Sequence, residues 1–181
     1  PDEKCLKHYK RLEIELKKTR NELQQIRDLK AESTDGRQVI LKANIEVPEE
    51  AGHALEYGAE GIGLYRSEFL FLTPGQSADE EKQYQAYRSV IRGMQGKPVT
   101  IRTLDVGGDK IIPDLQANEE KNPLLGWRAI RFCLSHPELF KTQLRALLRA
   151  SAEGEVRIMF PMISGLEELQ DALSVLEEAR E

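Results

Sequence analysis

The chain has 181 residues, 40% of them apolar and 31% charged, with a formal net charge of −5. The apolar share suffices for a packed core, while the acidic balance argues against a nucleic-acid partner, which calls for a basic surplus or stripe. Two distant cysteines, Cys5 and Cys133, exclude a disulfide framework and a metal-ligand spacing, and no apolar run approaches the ~20 residues that span a bilayer.

The compartment expected from this cysteine usage is a reducing cytoplasm. The chain opens at Pro1 with charged rather than apolar residues, as expected of a fragment or a processed chain and not of a secretory leader. Residues 2–33 then read as one long helix. Cys5, Tyr9, Leu12, Leu16, Thr19, Leu23 and Ile26 recur at alternating spacings of four and three, a heptad seam that asks for a partner helix. Residues 1–35 are therefore expected as a helix with a heptad-like seam and 36–181 as an α/β unit. Ser33-Thr34-Asp35-Gly36 is the break between them.

Beyond the break, strand-like and helix-like segments alternate. Strands are expected at Val39–Ile45, Gly61–Tyr65, Pro98–Leu104 and Val156–Pro161. Helices are expected at Pro48–Tyr57, at Ala78–Met94 with Ser77 as N-cap, and at Gly126–Leu134, Pro137–Ala150 and Leu166–Arg180. Repeated βα units imply a parallel sheet, in a barrel or an open doubly wound fold. A closed barrel needs eight such units in about 250 residues, so four units make about half of one. A half barrel leaves its outer strands with unpaired edges, which invite self-association or cover by the N-terminal helix.

Parallel α/β folds collect functional groups at the carboxyl ends of their strands. There the sequence delivers Asn44 from the first strand and Arg66, Ser67 and Glu68 from the second. The third delivers Arg102 and Asp105, then the loop Val106-Gly107-Gly108-Asp109-Lys110. Two guanidinium forks and a nearby lysine outline an anion site, because each fork matches a phosphate or carboxylate bidentately. The glycines would let backbone N–H groups face the anion. A single arginine is more often a surface ion-pair partner; the joint arrival of Arg66 and Arg102 is what raises a ligand role. Asp105 is expected to orient an arginine or cap the loop rather than do acid–base work. Glu68 and Asp109 could ligate a metal, but a hard cation wants several clustered oxygens, and none accompany them. His8, His53 and His136 have no acid, base or ligand beside them in sequence and are not candidates for catalysis. Cys133, Trp127, Leu144, Leu147 and Leu148 read as packing residues.

Four blocks in order carry a resemblance to a known family. GAEGIGLYRSEFLF at 58–71 and IRTLDVGGDK at 101–110 resemble the enzyme I segments that hold two phosphate-binding arginines. NPLLGWRAIR at 122–131 and RIMFPMI at 157–163 are similar to two further blocks. The enzyme I family comprises the phosphoenolpyruvate–protein phosphotransferases of the sugar phosphotransferase system. The resemblance implies the first half of a (β/α)8 TIM barrel preceded by a linker helix. It implies transfer of phosphoryl from phosphoenolpyruvate to an enzyme histidine and on to the carrier HPr, with magnesium required, in a homodimeric cytoplasmic parent with no membrane insertion. Arg66 and Arg102 match the arginines on the substrate phosphate, and Lys110 and Arg128 match basic residues near the same pocket. Asp105 and Asn44, delivered by the strand ends, complete the possible second tier.

The family's acceptor histidine context, its metal-binding carboxylates and its cysteine acid have no counterpart here, so this chain alone is expected not to transfer phosphate, and magnesium ligands are expected outside it. Competing readings are a pyruvate phosphate dikinase or phosphoenolpyruvate synthase, a nitrogen-type enzyme I, and a non-catalytic interaction or dimerisation fragment. The Gly-Gly-Asp-Lys loop favours enzyme I over the first two.

Overall fold

The computed structural model describes residues 2–71, 79–106 and 126–181. Helix α1 spans Glu3–Ile26, capped by the Asp2 carboxylate, which accepts the Cys5 N–H at 2.7 Å. None of its residues is buried. The helix ends short of the expected residue 33 because the following segment bonds to itself. The N–H of Val39 donates to Ala31 O (2.8 Å) and that of Ser33 to Arg37 O (2.9 Å), with an antiparallel bridge between Glu32 and Gln38. This small fold-back also shortens the first strand. Leu41 spends its N–H on the Glu60 carboxylate (2.9 Å), Val39, Ile40 and Leu41 stay exposed, and β1 begins only at Ala43, running Ala43–Ile45.

The end of α1 rests on the turn after α2 (Glu50–Glu56). Gly58 lies at φ +84°, and a Cβ there would sit 2.7 Å from the Arg27 carbonyl oxygen. Glycine therefore answers both a left-handed backbone and a close approach.

Strands β1, β2 (Ile62–Arg66), β3 (Val99–Arg102) and β4 (Val156–Met159) form one parallel sheet in the order β1-β2-β3-β4. Strict alternation would put Ile62 and Tyr65, three residues apart, on opposite faces. They share the buried face because β2 is bulged: Ile62 pairs with Val99 and Tyr65 with Ile101, so Gly63 and Leu64 together oppose Thr100. The extra residue resets the phase, and Arg66 comes to pair with Arg102.

Helices cover the face bearing Ile62, Tyr65, Val99 and Ile101. They are α3 (Glu80–Gly93), α4 (Ile130–Ser135), α5 (Pro137–Ala150) and α6 (Leu166–Arg180). Helix α5 packs between α3 and α6, because Phe140, Leu144 and Leu147 recur along one of its faces and are fully buried. Leu148 is only half-buried. Helices α5 and α6 occupy their expected spans. Helix α3 starts at Glu80, with the Asp79 carboxylate accepting the Lys82 N–H at 2.8 Å; the expected cap Ser77 lies outside the described residues. Helix α4 starts four residues later than expected. Ala129 donates its N–H to Val106 O (3.1 Å) at φ +53°, so it is tied to the segment that follows β3 and cannot enter the helix. Trp127 consequently precedes the helix, its ring edge-on to Phe132 at 5.1 Å.

Candidate functional site

The carboxyl ends of β2 and β3 set the site. Arg66 and Arg102 are the last residues of neighbouring strands and are register partners, so both leave the sheet at the same level and on the face away from the helices. A short 3-10 turn, Ser67–Phe71, follows Arg66 and turns Ser67 and Glu68 into the protein, where both are buried.

Arg102 lies in a chain of alternating charge. Its Nη2 contacts Glu68 Oε1 and its Nη1 lies 3.2 Å from Asp105 Oδ2. Asp105 in turn accepts from Arg128 through Oδ1, at 3.1 Å from Nε and 2.9 Å from Nη2. Asp105 thus contacts two guanidinium groups at once. Arg66 is more open: its Nε donates to Asn44 Oδ1 at 3.3 Å, and its Nη1 pairs with Glu46. Asn44, Arg66, Arg102, Asp105 and Arg128 therefore gather at one end of the sheet. Lys110 and the glycine loop at 107–108 lie outside the described residues.

Beneath the arginines runs a buried polar chain that pattern reading missed. Ser67 Oγ donates to Arg102 O (2.7 Å) and accepts from Gln143 Nε2 (3.0 Å). Gln143 also donates to Tyr87 OH (3.1 Å) and accepts the Leu104 N–H through Oε1 (2.9 Å). The Tyr87 hydroxyl passes its proton donation to Gln83 Oε1 (3.1 Å). Every polar atom of Gln143 is spent, which is what makes a fully buried amide tolerable. The chain ties the ends of β2 and β3 to α3 and α5 and so fixes the level of the arginines. The available signal was Gln143 itself, a glutamine within the Phe140, Leu144, Leu147 stripe.

Among the described residues, three buried side-chain atoms in this region have no partner: Tyr65 OH, Glu68 Oε2 and Arg102 Nε. Burial, with the charges of Glu49 and Glu68 adding, pushes the Tyr65 phenol above its ordinary range, so it stays neutral. Burial likewise pushes the Cys133 thiol up to about 12, Asp105 adding to the effect; Cys133 donates weakly to Leu104 O at 3.7 Å and is inert packing. On the rim, the backbone N–H groups of Glu46 and Val47 hold the Glu50 carboxyl below its usual range, with Arg66 contributing.

No histidine joins the site: His8 lies on exposed α1, His53 on α2, and His136 stacks on Phe132 at 4.4 Å. Among the described residues no group of three or more His, Cys, Asp or Glu is placed to hold a metal ion; Glu68 and Asp105 are spent on arginines. No helix among the described residues is long and apolar enough to cross a membrane. A separate open cleft of about 770 Å³ lies toward the amino ends of the strands, lined by Ile26, Leu29, Leu41 and Tyr57 among others, and includes none of the arginines of the site.

The chain is 48% identical over 180 residues to the phosphoenolpyruvate-protein phosphotransferase of Staphylococcus carnosus (strain TM300), covering 99% of this chain and 31% of that protein. It is 45% identical over 176 residues to the protein of that name from Listeria innocua serovar 6a, covering 97% and 31%. With the Bacillus subtilis (strain 168) protein of that name it shares 51% over 149 residues, covering 82% and 26%. The chain thus spans about a third of the length of the curated relatives it matches, at most. Residues 20–181 match the family described as PEP-utilising enzyme, PEP-binding domain, and the chain belongs to that family.

Proposed function

We propose that this chain is the phosphoenolpyruvate-binding portion of an enzyme I-type phosphotransferase and that Arg66 and Arg102 receive the substrate phosphate. The observation that carries this is the register pairing of the two arginines at the carboxyl ends of adjacent parallel strands. Phosphoryl transfer is mostly positioning plus neutralisation of charge on the transferring oxygens. Two forks held at one level by a buried polar chain can do both. Asp105 positions Arg102 and Arg128, Asn44 positions Arg66, and Lys110 is assigned to the same anion from its place in the matched loop.

In the parent protein the sheet is the first half of a (β/α)8 barrel, with the open edges of β1 and β4 as the places where further strands add. There the phosphoryl group would pass from phosphoenolpyruvate to a histidine of the enzyme and on to HPr, in a cytoplasmic homodimer. The exposed apolar seam of α1 supports a helical partner in that assembly. The described residues do not fit magnesium, so its ligands are assigned to the rest of the parent and no step of this chain runs through it. This chain's share of the reaction is binding and orientation.

Titration of the 181-residue chain with phosphoenolpyruvate tests the assignment. Weak binding is expected, lowered at least about tenfold in Arg102→Ala, since a charge-assisted fork contributes about 1.5–3 kcal/mol. Arg66→Ala should act in the same direction. Binding that survives both substitutions intact would overturn the assignment.

A further inference from the structure

Resting on the anion site proposed above, we infer that Glu68 is a displaceable counter-ion of Arg102 and sets which anions the site accepts. A guanidinium offers a side fork made of Nε and Nη2. Glu68 takes only one tooth of that fork, Nη2, through Oε1. The second tooth, Arg102 Nε, and the second oxygen, Glu68 Oε2, are both buried and, among the described residues, both unpartnered. A donor and an acceptor that could complete one bidentate pair are thus left unmade on the same two side chains, and a buried orphan of this kind is costly.

The neighbouring carboxylate behaves differently. Asp105 divides its two oxygens between Arg102 and Arg128 and leaves neither unused. It bridges the two guanidinium groups and holds them together. Glu68 contacts Arg102 from the buried side and bridges nothing else among the described residues. The Tyr65 phenol, on which the Glu68 charge acts, is also unpartnered among the described residues and stays neutral.

Charge explains what the arrangement selects. Among the described residues, Arg102, Arg128, Asp105 and Glu68 sum to zero, and Arg66 is matched by Glu46. A neutral cluster attracts a monoanion little. A tetrahedral oxyanion carrying two charges can compete for Arg102 Nη2 and displace the half-engaged Glu68 from it, while a monoanionic carboxylate cannot offset the loss of the resident ion pair. Glu68 therefore discriminates by charge, a form of selection by competing contacts.

The test is inorganic phosphate and acetate, titrated by calorimetry into the 181-residue chain and its variants. Wild type is expected to bind phosphate and not acetate. Glu68→Gln keeps the shape and removes the charge. It should bind phosphate about tenfold tighter and bring acetate into the measurable range. Glu68→Asp, whose carboxylate is withdrawn from Nη2, should move the same way by less and serves if the first variant does not fold. Asp105→Asn should weaken phosphate binding, because the bridge between Arg102 and Arg128 is lost. Unchanged or weaker phosphate binding in both Glu68 variants would overturn the counter-ion role. So would equal tightening in Asp105→Asn, which would mean that removing any negative charge suffices. If phosphate binds neither wild type nor any variant, the anion site itself falls and the role of Glu68 with it. If Arg102→Ala abolishes binding while Glu68→Gln leaves it alone, only the counter-ion role falls.

Discussion

Helix α1 and the mouth of the sheet use the same chemical pair, a basic side chain against a carboxylate, and to different ends. On α1 the pairs Lys7–Glu3, Arg11–Glu15, Lys17–Glu13 and Lys18–Glu22 all follow the i,i+4 spacing, and their side chains are 58–84% exposed. At the mouth, Glu68, Arg102, Asp105 and Arg128 form one chain and are 6–19% exposed. Water screens the first set, so each pair adds little beyond local helix support. The second set is desolvated: each charge there needs its partner, and removing one member leaves another uncompensated. Burial, not pairing, decides which ion pairs specify geometry.

The sharpest way to break this contrast is to attack what holds the mouth from below. Gln143→Leu should lower folding stability by about 2–3 kcal/mol, because the buried Leu104 N–H loses its acceptor and the link between Ser67 and Tyr87 is cut. Urea unfolding measures it; a loss under about 0.5 kcal/mol would mean that the polar chain is incidental.

A half-buried cluster should fall between the extremes. Glu80 on α3 receives Arg145 (2.8 Å) and Arg149 (2.9 Å) from α5. These contacts, Arg145 first, hold its carboxyl below the ordinary value of 4.5. A depressed folded pKa gives stability that is fully present above the unfolded pKa and is lost as pH falls through the folded one. The urea midpoint of Glu80→Gln should therefore lie below that of wild type at pH 7, and the gap should close on acidification below about pH 4. A gap that persists at low pH would show that packing, not charge, joins α3 to α5 at this point.

The smallest effect belongs to α1. Lys17→Ala removes the partner of Glu13 but leaves a good helix former on an exposed face. No resolvable shift of the urea midpoint is expected. A large one would place this part of α1 in a buried contact and erase the difference between the two regions.

Much of this organisation is legible residue by residue. The spans of α5 and α6 follow from apolar periodicity bounded by Pro137 at one end and by Gly165 before Leu166, local signals that need no distant partner. The gathering of Asn44, Arg66, Arg102 and Asp105 follows from the rule that parallel strands end together. The misses share a cause. Val39–Leu41 look like a strand by composition, yet their backbone groups bond to Ala31 and Glu60. Gly126–Ala129 look like the start of a helix, yet Val106 captures the Ala129 N–H. In both places a non-local hydrogen bond overrides a local propensity.

The sequence by itself determined the alternation of strand and helix, the parallel sheet that such alternation requires, and the residue types delivered to its carboxyl end. These depend on side-chain periodicity and chain connectivity, which are written locally. Only the tertiary structure decided that Gly63 is bulged so that Arg66 falls in register with Arg102, that Gln143 ties the two strand ends together, and that Glu68 meets Arg102 with half a fork. Those contacts join residues 34 to 76 positions apart, and partners that distant are chosen by packing in three dimensions, which no local pattern encodes.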